Sequence, residues 1–373
     1  MLSIRDTGLL YIFIYGITTF FALFSQSKQG GRIVFERRWL LAAFFIHWIF
    51  MAFTDIGTDY EHYVRNVKHS IEGFETIIEF GFNGLCFILY KITRSPHITL
   101  FLVKTIELSI LYYGFYRLRT KEYLWLAVFA YNAIVYLQGI NLLSMHFCIV
   151  LLFLSFVYLL EEEKKKAIFA LIAACTVHPS AFLLVPIYIV FYIIGTSDRR
   201  MSGFMVLLLI LSVVGVVSIY DIVFNYAVSQ LAVFEQYAHY EIVNKARGSG
   251  LMQLFYFSPI FFFTFYQFFY LKAPNYQKNL AIVFSLFAFS YAMLGYKLEV
   301  FARINMNFLG IYAAMVPSML FAYKNKTRNK ANYQFFLLFW ILTLFVRAFF
   351  VLRSNLDVSS QTGVEHYRFF FPF

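Results

Sequence analysis

Residues 142–160 read LLSMHFCIVLLFLSFVYLL, and the stretch continues as EEEKKK at residues 161–166. The first part holds no Asp, Glu, Lys or Arg. A helix needs about 20 mostly apolar residues to cross the hydrocarbon core of a bilayer. The stretch therefore predicts a membrane-spanning helix that ends in a solvated, charged turn.

Apolar runs of this kind recur along the 373-residue chain, and they predict an all-α, polytopic integral membrane protein. Hydrophobic residues make up 61% of the chain and charged residues 14%, against about 45–50% and about 25% in soluble domains. This composition excludes a disordered or disulfide-stapled protein and disfavours a soluble enzyme. The other runs lie near residues 8–24, 38–54, 97–116, 123–138, 204–220, 251–271, 279–296, 304–323 and 332–352.

The formal net charge is +11, from 31 Lys and Arg against 20 Asp and Glu. The excess lies in short clusters between apolar runs, and cytoplasmic loops of membrane proteins are enriched in Lys and Arg. We therefore interpret it as an orientation signal and predict no nucleic acid partner. The clusters lie within residues 28–38, 117–121, 164–166, 199–200, 272–278 and 324–330.

If every basic cluster is cytoplasmic, neighbouring clusters must be joined by an even number of crossings. Residues 167–195 must then cross twice, as a hairpin broken at His178-Pro179, because proline disfavours helix in the residue before it. Only two crossings fit between residues 38 and 117, so residues 81–93 are expected to form an interfacial or re-entrant helix. The count is about 12 transmembrane helices, with both termini outside.

The expected architecture is a single transmembrane domain over residues 1–373. Its outer-face segments are richer in mixed charge and aromatic side chains than the short, basic inner loops. The inner loops hold no glycine-rich phosphate loop, so nothing in them predicts nucleotide hydrolysis. The outer-face segments are residues 55–96, 221–250, 297–303 and 353–373.

The first outer segment opens with DIGTDYEHYVR at residues 55–65. Gly57 permits a tight turn, and Thr58 or Asp59 can cap a following helix. That helix has two faces by its i, i+3 and i+4 spacing. One face carries aromatic and apolar side chains, namely Tyr60, Tyr63 and Val64. The other carries ionisable groups, which form either a surface site or an ordinary charged helix face: Asp59, His62 and Arg65.

The motif Gly57-Thr58-Asp59-Tyr60-x-x-Tyr63, after a second spanning helix, resembles the EpsG family of exopolysaccharide and O-antigen polymerases. Three later segments resemble the family in the same order, over roughly residues 55–303. The chain departs from the family at Gly139-Ile140-Asn141-Leu142, where members often carry Arg-Gln; Asn141 cannot supply a cationic phosphate contact. The three segments are EFGFN at residues 79–83, ACTVHPS at residues 174–180 and FARINM at residues 301–306.

The resemblance implies a membrane glycosyltransferase of GT-C-like architecture that polymerises lipid-linked oligosaccharide repeat units. The growing glycan would leave its undecaprenyl diphosphate and be transferred to the end sugar of a new undecaprenyl-diphosphate-linked oligosaccharide. The active face would be the periplasmic or extracellular face of a bacterial cytoplasmic (inner) membrane. Besides membrane lipid, a chain-length regulator protein and a flippase are expected partners.

Such a reaction needs a base for the acceptor hydroxyl and cations for the diphosphate leaving group. Among the candidate bases Asp59 comes first, followed by Glu299 and His178. Arg303 is the first candidate for the diphosphate, although a snorkelling interfacial anchor explains it as well. Alternatively, His178 is only a capping or packing residue before Pro179. The remaining candidates for substrate binding are Arg247, Arg65, Tyr60, Tyr63 and His62.

Lys104 and Glu107 lie i, i+3 within one apolar run. A charge at the bilayer centre costs about 2.5–3.5 kcal/mol on insertion scales, so we expect these two to pair with each other; alternatively they line the lipid-diphosphate cleft. The three cysteines are far apart in apolar stretches, and no metal-ligand pattern occurs. We predict neither a cofactor nor a metal.

Two other functions use the same features. A transporter or flippase of lipid-linked glycan would need polar sites near the midplane and internal symmetry, whereas polar residues here crowd the outer face. A membrane acyltransferase that modifies glycans would need a histidine-centred site, for which His146 and His178 are the candidates.

Overall fold

The computed structural model describes residues 1–30, 32–69, 79–120, 122–195, 275–297, 299–326, 330–358 and 362–371, with four isolated positions between 207 and 215. It is 83% helical, which confirms the all-α class. Within these ranges the side chains of residues 69, 120, 194–195, 293–304, 325–326 and 330 are outside the described part. The predicted crossings at 204–220 and 251–271 and the outer segment 221–250 also lie outside the described residues or almost entirely so.

Besides its α-helices, the described part of the chain contains two 3₁₀ turns (Leu118–Thr120 and Pro179–Leu184) and one π turn (Phe191–Gly195). In chain order the α-helices are α1 (Ile4–Phe24), α2 (Arg37–Ala52), α3 (Tyr60–His69), α4 (Phe80–Thr93), α5 (Pro96–Arg117), α6 (Leu124–Ile134), α7 (Tyr136–Asn141), α8 (Leu143–Leu160), α9 (Lys164–Val177), α10 (Val185–Val190), α11 (Asn275–Lys297), α12 (Glu299–Lys326) and α13 (Lys330–Leu356).

Five of the described helices are long and apolar enough to cross a membrane. The predicted total of about 12 crossings remains a prediction. The run at 123–138 is not one helix, because it breaks at Val135 between α6 and α7. The five spans are Ile4–Phe24, Pro96–Arg117, Leu143–Leu160, Asn305–Lys324 and Ala331–Leu356.

The chain divides into two compact units, and the first contains residues 1–181, 309–321 and 334–373. Its centre is α8, which packs on α5, α7 and α9, while α1 packs on α2 and α6. Close approach of α5 to α8 depends on Gly114, where a Cβ would lie 3.0 Å from Cδ1 of Phe153. Large apolar side chains on α1 and α13 remain exposed, among them Ile12 and Phe349, as expected for surfaces that face lipid.

The helix ends of the first unit gather at two opposite ends. At one, the basic end, three of the predicted cytoplasmic clusters lie together. Lys28 Nζ is 3.0 Å from Glu122, and Arg117 Nη2 is 2.6 Å from Glu163, which also binds Lys166 at 2.7 Å. An antiparallel hairpin of β1 (Gln26–Gln29) and β2 (Arg32–Phe35) joins α1 to α2 there, where the charge pattern predicts only a loop.

The opposite end, the site end, contains the start of α1, the end of α2 and the start of α5, together with the start of α8 and the end of α9. Helix α4 lies there with both of its ends. Glu79 before its first turn reaches α8, and Thr93 in its last turn bonds Thr99 of α5 at 2.9 Å. With 14 residues this helix is shorter than a usual span, and its interfacial or re-entrant placement stays a prediction.

The break at His178-Pro179 is confirmed. Helix α9 ends at Val177, and His178 adopts an extended conformation at φ −149° and ψ 132°, as expected for a residue before proline. The stretch from Phe182 belongs to the second unit, so the two-crossing hairpin stays a prediction.

The second unit contains residues 182–308 and 322–333. In its described part, aromatic side chains of α10 and of the π turn that follows it pack on α11. Ring centroids lie 5.4 Å apart for Tyr188 and Phe284, and 5.3 Å apart for Phe191 and Tyr276. Tyr291 donates its hydroxyl to the Leu183 carbonyl at 2.9 Å.

Candidate functional site

The loop after α2 is shaped by Gly57, which has φ +105°. A Cβ there would lie 2.9 Å from Oδ1 of Asn141. The same Oδ1 accepts hydrogen bonds from the Thr58 hydroxyl at 3.2 Å and from the Asp59 N–H at 3.3 Å. Asn141, where the chain departs from the family pattern, therefore holds the loop through its amide oxygen. Its role is to bridge elements.

A C-terminal segment, residues 362–371, closes over this loop and forms one isolated β-bridge, between Thr54 and Phe369. The Gly57 N–H donates to the Gly363 carbonyl at 3.1 Å, and the Thr58 N–H donates to the Thr362 carbonyl at 3.1 Å. Arg368 binds the carboxylate of Asp55 with two nitrogens, Nε at 2.9 Å from Oδ1 and Nη2 on Oδ2.

The C-terminal segment is also anchored to α1 and α2. Tyr367 is fully buried, and its hydroxyl donates to the Phe50 carbonyl at 3.0 Å. Its N–H donates to Thr7 of α1 at 3.0 Å. Tyr11 of α1 donates its hydroxyl to the Val364 carbonyl at 2.9 Å. The first motif thus lies between the helix ends and the C-terminal segment.

Helix α3 has the two faces that its spacing predicts. Tyr60, Val64 and Val67 are buried. The Tyr60 hydroxyl bonds Nδ1 of His97 at 2.9 Å. His62 and Arg65 lie on the exposed side.

Tyr63, one turn into α3, connects the first motif to the second and third. Its hydroxyl lies 3.3 Å from Ser144 Oγ, and the Ser144 hydroxyl donates to Glu79 Oε1 at 3.2 Å. The same Oε1 lies 3.3 Å from Nε2 of His178. Three of the segments that resemble the family therefore meet at one carboxylate.

The tautomer of His178 follows from its other neighbour. Ser180 points both its hydroxyl, at 2.7 Å, and its N–H, at 3.2 Å, at Nδ1 of His178. Because the N–H can only donate, Nδ1 accepts, and the proton of the neutral ring sits on Nε2. His178 therefore donates to Glu79. Both side chains are only about a fifth exposed, at 22% for His178 and 23% for Glu79.

Burial raises the pKa of the Glu79 carboxyl to about 7, and the hydrogen bond from Ser144 opposes this rise. Its second oxygen, Oε2, makes no hydrogen bond to the part of the chain that the structure describes. A carboxylate with one oxygen held and the other open, and with a pKa near neutrality, is suited to take a proton from a hydroxyl.

Two backbone features place Glu79. The residue adopts the left-handed conformation, with φ 61° and ψ 33°, which is sparsely populated by residues other than glycine and is found at functional sites. Two residues on, Gly81 brings α4 against α9, since a Cβ there would lie 2.9 Å from the backbone carbonyl carbon of Thr176. Close packing of these helices brings Glu79 within reach of His178.

Lys104 and Glu107 are fully buried or nearly so, but they do not form the expected direct pair. The Glu107 carboxylate contacts Nδ1 of His146, whose Nε2 lies 2.9 Å from the Tyr131 hydroxyl. Lys104 Nζ donates to the Thr54 carbonyl at 3.0 Å. The i, i+3 expectation is wrong because each charge finds a partner on another segment.

Lys104 also lies 5.4 Å from the centre of the Tyr60 ring. Through this contact and its hydrogen bond to the Thr54 carbonyl, Lys104 holds the residues just before the first motif and Tyr60 within it. Neither Lys104 nor Glu107 is exposed enough to line an open cleft.

The remaining predicted residues are distributed as follows. Asp59 is partly buried, and its carbonyl accepts from the Tyr63 N–H at 2.9 Å. Nε2 of His62 accepts from the amide of Asn66 at 3.0 Å. Glu299 and Arg303 fall in the first turns of α12, but their side chains lie outside the described part. Arg247 also lies outside it.

Sequence reasoning missed Glu79, Ser144 and Ser180 as members of the site. Glu79 stands in the second segment of the resemblance, so the segment itself was a usable signal. Ser144 lies in an apolar run and carries no such signal. No group of three or more His, Cys, Asp and Glu side chains that could hold a metal occurs among the described residues.

Comparison with known proteins gives one match. A family model described as the EpsG family matches residues 37–359. No curated protein and no solved structure matches the chain. The match includes the loop at Gly57, the Glu79–His178 pair and the start of α12.

Proposed function

Because the chain belongs to the EpsG family, we propose that it polymerises lipid-linked oligosaccharide repeat units at a membrane surface. The growing glycan, held on undecaprenyl diphosphate, is transferred to the end sugar of a new lipid-linked unit. The product is an O-antigen or an exopolysaccharide. The protein is a glycosyltransferase of GT-C-like architecture in the bacterial cytoplasmic membrane, and its site end faces the periplasm or the exterior.

One observation carries the proposal: Tyr63, Glu79 and His178, from three separate segments, meet at the end opposite the basic clusters. Basic clusters mark the cytoplasmic side. A carboxylate at the other end, between helix ends, is reached by a substrate whose lipid stays in the bilayer and whose sugars project outward.

The proposed base is Glu79. Its Oε2 takes the proton of the acceptor hydroxyl while that oxygen bonds to C1 of the donor sugar. The bond from C1 to the diphosphate breaks, and its electron pair goes to the diphosphate oxygen. Ser144 and His178 keep Oε1 in place, so Oε2 is presented in one orientation. Asp59, earlier the first candidate, is retained as a residue that binds the acceptor beside Tyr63.

The leaving diphosphate needs cations. Arg303 remains the first candidate, followed by Arg247, Arg65 and the exposed ring of His62. Tyr60 acts from inside the fold through His97. Glu299 is retained as a partner that orients Arg303. A chain-length regulator and a flippase are the proposed protein partners.

The test is extension of a purified lipid-linked repeat unit by the protein in proteoliposomes. We expect products of several units, and a loss of about 10²–10⁴ in rate for Glu79→Gln, the range of a lost general base. Glu61→Gln is the matched control, since Glu61 is an exposed carboxylate on α3 and should keep nearly full activity. Asp59→Asn and Arg303→Ala should shorten the products.

Two results would overturn the proposal. Movement of the lipid-linked unit across the vesicle wall without lengthening would indicate a flippase. Transfer of an acyl group to a glycan of unchanged length would indicate an acyltransferase.

A further inference from the structure

A second candidate site lies at the basic end, far from Glu79 along the helices. A groove of about 430 Å³ runs between α2 and α5. Its wall is apolar and aromatic except for Ser109, and along α2 it extends from Arg37 to Phe44, about 10 Å of helix. Its members beyond the mouth are Leu40, Leu41, Phe44, Ser109, Tyr112 and Tyr113.

Two guanidinium groups lie on the ring of Tyr116, which lines the mouth of this groove together with Arg37. The guanidinium carbon of Arg37 lies 5.2 Å from the centre of the Tyr116 ring, and that of Arg119 lies 4.1 Å from it. Arg119 also donates to the Tyr116 carbonyl at 3.1 Å. Like charges near one ring repel each other, and an anion close to both would offset this repulsion.

Four carboxylates of this end are engaged with other cations. Glu36 binds Arg38 at 2.7 Å, Glu122 binds Lys28 at 3.0 Å, and Glu161 and Glu163 both bind Arg117. Within the described part of the chain, no carboxylate lies within ion-pair distance of Arg37 or Arg119. The pair therefore keeps a positive charge at the end that the basic clusters assign to the cytoplasmic headgroup layer.

We propose that the groove binds one anionic phospholipid of the cytoplasmic leaflet. Its phosphate lies between Arg37 and Arg119 on Tyr116, and part of one acyl chain lies along the groove toward Phe44. The N-terminus of α2 lies at the same place, and the dipole of a helix favours an anion at that end. Charge complementarity selects an anionic lipid over a zwitterionic one.

The experiment titrates delipidated protein in detergent with phosphatidylglycerol or phosphatidylcholine and counts bound lipids by native mass spectrometry. We expect phosphatidylglycerol to bind at least about tenfold more tightly than phosphatidylcholine. Arg37→Gln with Arg119→Gln should weaken phosphatidylglycerol binding by about fivefold for each arginine. The matched control is Arg32→Gln with Lys165→Gln, two exposed cations away from the groove, which should change it less than threefold.

A second variant separates a lipid from a free anion. Ser109→Phe fills part of the groove and leaves both arginines in place; it should weaken phosphatidylglycerol binding and leave inorganic phosphate binding unchanged. Equal weakening by the groove and control pairs would overturn the proposal, as would undiminished lipid binding by Ser109→Phe. The readout needs no polymerase activity, so its outcome is independent of the proposed reaction.

Discussion

Gly57 and Gly363 lie face to face: a Cβ on Gly363 would sit 3.1 Å from the carbonyl carbon of Gly57, while the Gly57 N–H donates to the Gly363 carbonyl at 3.1 Å. Both residues have positive φ, +105° and +70°. Each therefore combines a backbone conformation that L side chains rarely adopt with a contact that leaves no room for a side chain.

Gly57→Ala should displace the loop from Asn141 and lower polymerisation by about 10²-fold, since a shift of about 1 Å in a positioning element has that effect. Gly363→Ala should do the same from the other side. Gly16→Ala is the control, because a Cβ at Gly16 meets nothing within 4 Å. Extension of the lipid-linked unit is the measurement, and an active Gly57→Ala protein would contradict a role for this turn.

The contact of α4 with α9 gives a second pair of variants. Gly81→Ala should push α4 away from Thr176 and separate Glu79 from His178, with a loss of activity near 10²-fold. Gly84→Ala lies on the same helix, and its Cβ meets nothing within 4 Å. Similar activities of the two variants, measured at matched protein levels in the membrane, would show that the close approach is not needed.

The pKa of Glu79 predicts a pH dependence. The base must be ionised, so the rate of extension should rise with pH up to about 7 and level off above it. Glu79→Gln should abolish this rise of the rate with pH and most of the rate itself. A rise of the same shape in the Glu79→Gln protein would assign the pH dependence to another group.

The same shift predicts an effect on stability. The folded-state pKa of Glu79 is raised above its unfolded value, so the favourable contribution is complete below about pH 4.3 and is lost as pH rises through about 7. The unfolding temperature of Glu79→Gln, relative to that of the unaltered protein, should therefore be higher at pH 8 than at pH 4. An unchanged difference between the two pH values would contradict the raised pKa.

The buried pair of Glu107 and His146 predicts a non-additive effect. His146→Leu leaves the Glu107 carboxylate without its partner and should destabilise the fold by about 3–5 kcal/mol. The double variant Glu107→Met, His146→Leu removes both polar groups and should be closer to the unaltered protein. Thermal unfolding in detergent gives both values, and additive losses would refute the pairing.

Local patterns predicted much of this structure. The apolar runs gave the long helices, the spacing of Tyr60 and Val64 gave the buried face of α3, and His178-Pro179 gave the end of α9. Each of these depends on residues close together in the chain. The ordered motifs identified the EpsG family, which the family match confirms.

Contacts between distant segments were beyond that reasoning. Nothing local in the sequence indicates that Glu79 meets His178, or that Lys104 bonds the Thr54 carbonyl instead of Glu107. The sequence predicts that Asn141 bridges helices or binds a sugar but does not name its partner, whereas in the structure its amide oxygen receives two donors from the loop. Such partners depend on how helices pack, and periodicity alone does not specify that.

The position of the C-terminal segment, residues 362–371, has a consequence for biogenesis. Thr54 and Arg368, joined by a hydrogen bond, are 314 residues apart in the chain. During synthesis the loop at Gly57 leaves the ribosome long before the segment that covers it, and α13 lies between the two in the chain. The first motif would thus stay incomplete until residues 362–371 have been made and have folded back onto it.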